Sequence, residues 1–469
     1  MKRFLNIILI IFCIAFQNAY AAEVQKGGIE HVELSFEQAY ELMLENNNSL
    51  KAFNEAINKS KYEKRAAIGQ FFPKVGMNAT YLHFSEDMTL TSSVKVPAAV
   101  PILGGATMNA NTLIQDQNVF TFGGAAVWNI FTGGKLLSNH AAARAKLEAS
   151  NEKYREIKDN LTLELVKRYY GLRLARDVVE VRKQVADGMG KHLNDALLLE
   201  KEGLISKSER LHAEVAYSDA LKEYKSSLRD ANVVEEGLKT LIKADNVKLK
   251  DVFVEPISLL FVYNNSTIDL PAMKANALEN NPQLKQLQAK KKAMNAKYHA
   301  QVANYSPTVS LVAYDIAAAS HLSEAVPRAA FGVTANWLIF DGLSRYNNVM
   351  AANSERKMVD FEIEDAKFNI ESLVIKQYQE LMKNKEQYDS AQTSLENAQE
   401  ALRTASLAFK EGFGTSLQVT DAQMMLSKVK IDRLQAVYNY DVNLADLLKT
   451  NGDTNSILEY IKSSQQEKF

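Results

Sequence analysis

The stretch Trp128-Asn-Ile-Phe-Thr-Gly-Gly-Lys135 is repeated as Trp337-Leu-Ile-Phe-Asp-Gly-Leu-Ser344, 209 positions further along the chain (337 − 128), and the two copies contain its only two tryptophans. Lys201-Glu-Gly-Leu204 and Lys410-Glu-Gly-Phe413 form a second pair at the same spacing. A repeat of this length indicates a whole structural unit that occurs twice. The sequence therefore predicts a tandem duplication.

The first copy is longer than the second upstream of its tryptophan. Pro73 and Pro307 match at a spacing of 234 (307 − 73), so 25 additional residues (234 − 209) lie between Pro73 and Trp128. The surplus falls at about residues 88–117, which are rich in alanine and asparagine and contain prolines and a Gly-Gly pair. This composition is typical of a loop.

The N-terminal residues 1–21 have the pattern of a secretory signal peptide. A positive start is followed by the apolar run Ile7–Phe16 and by Ala19-Tyr20-Ala21, a small-x-small site that predicts cleavage near Ala21. The apolar run is too short to span a membrane. Cys13 is the only cysteine, and the bulky Phe12 before it argues against lipidation, so we expect a cysteine-free mature chain suited to an oxidising compartment.

Composition and motifs exclude several classes of function. The net charge of −1 gives no basic surplus for binding nucleic acid, and no later run of about 18 apolar residues predicts a transmembrane helix. The seven histidines show no His-Glu-x-x-His spacing, and one cysteine cannot form a metal cluster. Gly133-Gly134-Lys135 lacks the spacing of a phosphate loop. We therefore expect no enzyme activity, cofactor or metal.

Proline-free stretches predict two very long helices. Residues 102–255 and 328–469 contain no proline and are rich in strong helix formers. Glycines delimit helices at 135–202 and 343–410, each about 100 Å long at a rise of about 1.5 Å per residue. Return helices are predicted at 207–244 and 416–450. A heptad row in which large residues alternate with alanine predicts close antiparallel packing, and its members are Tyr388, Ala391, Leu395, Ala398, Leu402, Ala405 and Phe409.

Alternating segments before each tryptophan predict β-strands. We expect strands at 118–131 and 328–341, with partners at about 74–86 and 308–316. One face is apolar and the other small or polar, which fits either a membrane barrel or a half-buried soluble sheet. A tryptophan at the end of each strand favours the membrane interface. Four strands cannot close a barrel, so three copies are expected to supply twelve.

The repeat layout resembles the TolC-type outer-membrane efflux proteins over residues 34–451. The resemblance implies a mainly α fold with a membrane β-barrel, in which each repeat runs helix, β-hairpin, long helix, tight turn and helix. It further implies a homotrimer whose 12-stranded barrel, embedded in outer-membrane lipid of a Gram-negative bacterium, continues into a periplasmic α-helical barrel. The surplus segment then lies on the extracellular side, as a long loop or as extended strand tips.

The repeat pattern and the resemblance together divide the chain into six segments. These are a signal peptide at 1–21, an N-terminal segment at 22–33, repeat 1 at 34–245, a linker in the equatorial region at 246–267, repeat 2 at 268–451 and a polar C-terminal tail at 452–469.

The resemblance also assigns roles to the two turns between the helices. The far periplasmic tip, where a periplasmic adaptor (membrane fusion) protein docks, falls on Gly203, Leu204, Ser206, Gly412, Phe413 and Thr415. The periplasmic gate falls on Asp421, Gln418, Glu209 and Ser208. Trp128 and Trp337 are the expected membrane-interface aromatics.

The gate residues have a second interpretation that the sequence leaves open. Ser206 with Glu209 and Thr415 with Gln418 both fit a capping box, so Glu209 and Gln418 are explained equally by helix capping. An acid such as Asp421 near a helix start also complements the helix dipole. Gln418 occupies a position where the family has an acid, which puts a second acidic ring in doubt. The family's tyrosine and arginine latch falls on Phe409 and Gly414, so that latch is not the same here.

Two functions from different classes follow. The first is a passive, gated exit duct that carries substrates from an inner-membrane RND or ABC transporter, in a tripartite efflux or type I secretion system. The second is a structural periplasmic coiled-coil protein that spaces or tethers the cell envelope. The transported substrate is not indicated by the sequence.

Overall fold

A computed structural model describes residues 32–95, 97, 99, 105–243, 252–254 and 269–466 of the chain. The predicted signal peptide lies outside the described residues, as does most of the predicted linker. The helices are α1 (Phe36–Asn46), α2 (Asn48–Gly69), α3 (Lys135–Lys201), α4 (Lys207–Ile242), α5 (Leu270–Asn280), α6 (Pro282–Val302), α7 (Ser344–Lys410), α8 (Ser416–Thr450) and α9 (Ser456–Gln466).

The strands are short compared with the two helices of 67 residues, α3 and α7. They are β1 (Val32–Leu34), β2 (Lys74–His83), β3 (Met88–Lys95), β4 (Thr107–Gln115), β5 (Asn118–Phe131), β6 (Val252–Val254), β7 (Thr308–Ser320) and β8 (Ala329–Asn336). The mainly α fold with antiparallel strands is confirmed. None of the helices within the described residues is long and apolar enough to cross a membrane.

The described residues form two compact units. The first lies within Met1–Asn48, Asp159–Met273 and Val374–Phe469, and the second within Ser49–Lys158 and Lys274–Leu373. In the first unit Phe36 packs edge-on against Tyr169 at 5.3 Å between ring centroids, and the Tyr169 hydroxyl donates to the Leu34 carbonyl at 2.7 Å. This buried contact ties the N-terminal helix α1 to the middle of α3.

In the second unit, ion pairs join neighbouring helices. Lys292 contacts Glu148 at 2.6 Å and Lys297 contacts Glu355 at 2.6 Å, so α6 is paired with both α3 and α7. These side chains are about half exposed, so each pair contributes about 1 kcal/mol or less. Buried small residues such as Ala289 and Ala352 allow the helices to pack closely.

Four of the strands form one antiparallel sheet in the second unit, in the order β2-β5-β7-β8. The registers place apolar residues of neighbouring strands opposite one another, as in the row Trp128, Leu311 and Val333. The adjacent row across the strands places Asn129, Ser310 and Thr334 on the other face, where the Ser310 hydroxyl contacts the Asn129 amide oxygen at 2.7 Å. The alternation predicted from the sequence therefore has the same sense in neighbouring strands.

The described part of the chain leaves the apolar face of this sheet largely exposed. Val75 and Met77 on β2 are 76% and 75% exposed, and Phe331 on β8 is 93% exposed. The strands β2 and β8 each have a neighbour on one side only. An exposed apolar face and two free edges are features that a protein in water avoids.

The two tryptophans make equivalent contacts, which shows that the sequence repeat is a structural repeat. The indole N–H of Trp128 donates to the Phe71 carbonyl at 2.8 Å, and that of Trp337 donates to the Tyr305 carbonyl at 3.0 Å. The acceptors are themselves 234 positions apart (305 − 71), the spacing of the upstream part of the repeat.

Three segments differ from the sequence prediction. The strand expected at 328–341 ends at Asn336, which pairs with Thr308. Thr308 is the first residue of β7, so the residues after Asn336 have no residue of β7 to pair with. Trp337 therefore lies just past the strand. The segment expected to be a loop at 88–117 contains the hairpin β3–β4, in which Val94 faces Met108. Its alternating residues sustain a ladder despite the loop-like composition.

The predicted polar tail at 452–469 also differs, because it contains the helix α9. Ile457 and Ile461 are four residues apart and both are buried, so the helix packs one apolar side against the first unit. The Ser456 hydroxyl donates to the Asp453 carboxylate at 2.5 Å at the start of this helix.

Candidate functional site: the two interhelical turns

Both long helices end in the same glycine turn. Gly203 and Gly412 adopt φ values of +72° and +74°, a left-handed conformation that favours glycine. The N–H of Leu204 then donates to the Leu199 carbonyl, and that of Phe413 to the Ala408 carbonyl, each at 2.9 Å. This satisfies carbonyls left free at the helix end and reverses the chain in a few residues.

The two return helices begin differently. At the second turn the capping box is complete, because the Thr415 hydroxyl accepts from the Gln418 N–H at 3.3 Å and the Gln418 side chain accepts from the Thr415 N–H at 3.0 Å. At the first turn the Ser206 hydroxyl accepts from the Glu209 N–H at 3.3 Å. The Glu209 carboxylate does not return to Ser206.

Glu209 instead reaches the other repeat. Its carboxylate accepts from the backbone N–H of Ser416, the first residue of α8, at 2.6 Å. A carboxylate at a helix N-terminus satisfies a free N–H and complements the helix dipole. Glu209 therefore caps α8 rather than its own helix.

His192 of α3 completes this contact. Its Nε2 lies 2.8 Å from the Ser416 hydroxyl, and its ring lies 4.5 Å from that of Phe409 at the end of α7. His192, Phe409 and Ser416 are all buried. Burial lowers the pKa of His192, while the nearby carboxylates of Asp195 and Glu209 act in the opposite direction. We call His192, Glu209, Phe409 and Ser416 the His192 cluster.

Apolar residues pack around the His192 cluster. The group is formed by α3, α4, α7 and α8, and its buried members besides Phe409 are Val185, Ala186, Met189, Ala196, Ala213, Ala220 and Val419. Four alanines in this group are consistent with the close helix approach that the alternating heptad row predicted.

The predicted tip residues lie at the surface of the turns. Leu204 is 61% exposed and Phe413 is 91% exposed. Gly203, Ser206, Gly412 and Thr415 are exposed as well. Two large apolar side chains at the turns are therefore left exposed by the described part of the chain.

Within the described residues, no hydrogen bond or ion pair joins the predicted gate residues to one another. Asp421, Gln418 and Ser208 are exposed, and within the described part of the chain Asp421 and Ser208 make no hydrogen bond or ion pair. Gln418 caps its own helix and Glu209 caps α8. No group of histidine, cysteine or acidic residues among the described positions could hold a metal ion.

The sequence prediction missed His192 and Ser416. A signal was present, because Val185, Met189, His192 and Ala196 follow the 3–4 spacing of a buried helix face. A histidine in such a row requires a polar partner. Phe409 and Gly414 occupy the two positions of the family latch. Phe409 packs on His192, and a Cβ atom at position 414 would lie 2.9 Å from the backbone nitrogen of Phe409.

The sequence matches the family described as "Outer membrane efflux protein" over residues 39–242 and 275–453. The chain belongs to this family. The two matched ranges correspond to the two repeats, and the second includes both the turn at Gly412 and the start of α8. No curated protein sequence matches the chain.

Solved structures share the fold at low sequence identity. A membrane protein from Pseudomonas aeruginosa gives a TM-score of 0.73 at 18% identity, covering 89% of this chain and 91% of that one. The open-state MtrE outer membrane channel of Neisseria gonorrhoeae gives 0.69 at 17%, covering 92% and 94%. The CmeC outer membrane channel of Campylobacter jejuni gives 0.69 at 15%, covering 92% and 89%.

Proposed function

We propose that the protein is a passive, gated duct through the outer membrane, assembled as a homotrimer. The sheet β2-β5-β7-β8 carries this proposal, because it has one apolar face, one small and polar face and two free edges. Closure of three such sheets into a 12-stranded barrel leaves no free edge and turns the apolar faces to lipid. The similarity in fold to outer membrane channels such as CmeC and MtrE supports a channel in the outer membrane.

We further propose that the duct serves a tripartite efflux or type I secretion system. The exposed Leu204 and Phe413 fit a docking surface for a periplasmic adaptor protein. The adaptor then connects the duct to an inner-membrane RND or ABC transporter. We propose that the transporter, rather than the duct, selects the cargo.

Asp421 is proposed to line the gate. It is exposed and free of hydrogen bonds and ion pairs within the described residues, and three copies around a threefold axis form a ring of carboxylates. Such a ring attracts cations. Asp421→Asn is expected to reduce cation selectivity and cation block in single-channel recordings without loss of trimers, whereas unchanged selectivity and block leave Asp421 as a helix-end charge only.

Trp128 and Trp337 are proposed to lie at the periplasmic lipid interface, where aromatic residues collect. Both are about half exposed, and each indole N–H donates to a carbonyl while the ring remains accessible. A lipid-attached quencher is expected to dim the fluorescence of both in reconstituted protein. Unquenched tryptophans would argue against this placement.

The experiment that tests the function as a whole is ion conductance. Purified protein from outer membranes is expected to migrate as an SDS-resistant trimer and to open ion-conducting pores in planar bilayers. A soluble periplasmic rod without conductance would overturn the proposal and favour a structural spacer.

A further inference from the structure

The His192 cluster joins the two repeats at the start of α8. The imidazole of α3 contacts the Ser416 hydroxyl at 2.8 Å, and the Glu209 carboxylate of α4 accepts from the Ser416 N–H at 2.6 Å. Both contacts therefore hold the same residue of α8. The ring of Phe409 from α7 covers the imidazole at 4.5 Å.

We propose that the His192 cluster is an acid-sensitive device, which holds the start of α8 against α3 at neutral pH and releases it in mild acid.

The imidazole of His192 is buried. His192 is 6% exposed and packs against a phenylalanine ring, a position that costs a neutral imidazole much less hydration free energy than a charged one. Protonation places a positive charge where water cannot reach it, which is costly unless a counter-charge is fully available.

The two carboxylates nearest His192 already have other partners. Asp195, on the same helix, forms an ion pair with Lys410 of α7 at 3.1 Å. Glu209 of α4 accepts from the Ser416 N–H, and Ser416 of α8 is neutral. Both carboxylates raise the pKa of His192, yet burial is the larger cause and the pKa is lowered. The carboxylates therefore do not compensate for burial.

The pKa of His192 differs between the closed and the open cluster, and this difference sets how the stability of the closed cluster changes with pH. In water, histidine titrates at about pH 6.5, and in the closed cluster it titrates lower. Below about pH 6.5 the open state therefore binds more protons than the closed state. The closed cluster keeps its full stability above that pH and loses it progressively as the pH falls.

The consequence for the duct rests on the proposed function. Gln418 and Asp421 lie in the first two turns of α8, directly after Ser416. Release of Ser416 frees the start of the helix that carries these two residues from its contacts with the first repeat. Mild acid in the periplasm is then expected to loosen the gate.

Hydrogen exchange of the intact, purified trimer tests the inference. The backbone amides of residues 412–420 are measured at about pH 7.5 and about pH 5.5, with correction for the intrinsic rate. We expect protection to fall at the lower pH by up to about tenfold, because pH 5.5 lies about one unit below the pKa of a free histidine. His192→Gln retains a hydrogen-bonding side chain that does not titrate, so its protection should not depend on pH.

The chain offers a matched control in His212→Gln. His212 is an exposed histidine on α4, and its replacement should leave the acid response unchanged. An equal acid response in His192→Gln, or none in the unsubstituted protein, overturns the inference.

The midpoint gives a check that needs no substitution. Loss of protection centred between about pH 5 and 6.5 assigns the response to an imidazole, whereas a midpoint at about pH 4 assigns it to a carboxylate and overturns the inference. Exchange is measured without transport or conductance. Failure of the proposed duct function therefore does not imitate failure of this inference.

Discussion

The two interhelical turns share a backbone but are stabilised by different chemistry. Glu200 and Phe409 occupy equivalent positions (409 − 209), as do Arg210 and Val419 (419 − 209). In the first turn Arg210 and Glu200 form an ion pair at 2.9 Å, whereas in the second Phe409 and Val419 belong to a buried apolar cluster. Both repeats have thus kept the glycine turn, whereas the side-chain contacts between the helices next to the turn differ.

This difference assigns distinct roles to the turns. The Glu200–Arg210 ion pair at the first turn is partly exposed, and this turn supplies a carboxylate, Glu209, to the second. The second turn has a dry interior and receives contacts from α3 and α4 at Ser416. The start of α8 at the second turn therefore depends on contacts from the two helices that flank the first turn.

The largest effect is expected at the tips. Leu204→Asp combined with Phe413→Asp should abolish transport, because two charges replace the apolar side chains offered to the adaptor. Trimers should remain intact, since both side chains are exposed. Of the two single variants, Phe413→Asp should have the greater effect because Phe413 is the more exposed. Full transport by the double variant would remove the docking proposal.

The next effect tests the chemistry below the turns. Phe409→Ala removes a side chain that is 1% exposed and should lower the free energy of unfolding by about 3 kcal/mol or more. Glu200→Ala at the equivalent position removes an ion pair that is partly solvated and should cost about 1 kcal/mol or less. Thermal or denaturant unfolding compares the two. Equal losses would contradict the contrast between a dry and a solvated turn.

A third difference between the repeats lies deeper in α8. Asp441 is buried and neither of its carboxylate oxygens has a hydrogen-bond partner among the described residues, whereas the equivalent Asn232 is exposed. Burial raises the pKa of Asp441 well above its ordinary value. Its protonated form is therefore favoured by folding, and stability is lost as the pH rises from about 4 towards that raised pKa.

Asp441→Leu should remove this loss. We expect the variant to be more stable than the unsubstituted protein by about 1–3 kcal/mol where the acid is ionised, and the gain should grow with pH. Unfolding measured from acid to alkaline pH provides the test. Asn232→Leu serves as the control at the exposed site, and a gain of the same size there would sink the explanation.

The smallest expected effect concerns the gate. Gln418→Glu keeps an acceptor for the Thr415 N–H and so should leave stability unchanged within about 0.5 kcal/mol. It also adds an acid one turn before Asp421, which should increase cation selectivity and cation block. Single-channel recordings with and without a divalent cation measure both. If selectivity stays the same, Gln418 acts only as a cap.

Much of the fold could be predicted from periodic patterns. The 3.6-residue pattern and the glycines located α3, α4, α7 and α8 to within two residues, because long amphipathic helices repeat their signal many times. The period-2 pattern located β5 as well. The segment 88–117 was predicted as a long loop or as extended strand tips, because its prolines, Gly-Gly pair and many alanines and asparagines are typical of loops. The hairpin β3–β4 fits the second alternative.

The site could be predicted only in part. The capping motifs at Ser206 and Thr415 are local in sequence, and the complete box at Thr415 follows from four residues alone. The contact of Glu209 and His192 with Ser416 joins positions that are 207 and 224 residues apart. A local capping rule gives Glu209 its own helix as partner, and only the packing of the two repeats redirects it to α8.

The closure of the sheet between copies is the central claim, and disulfide formation tests it directly. The strands β2 and β8 are separated by β5 and β7 in one chain, so they lie about 14 Å apart at about 4.8 Å per strand, too far for a disulfide. Asn78→Cys on β2 is combined in turn with cysteine at Ala330, Gly332 and Thr334 on β8, all on the small and polar face of the sheet. If three copies close the sheet by pairing β8 of one copy with β2 of the next, at least one of these combinations should form covalent trimers in outer membranes. Monomers alone in every combination would contradict this closure.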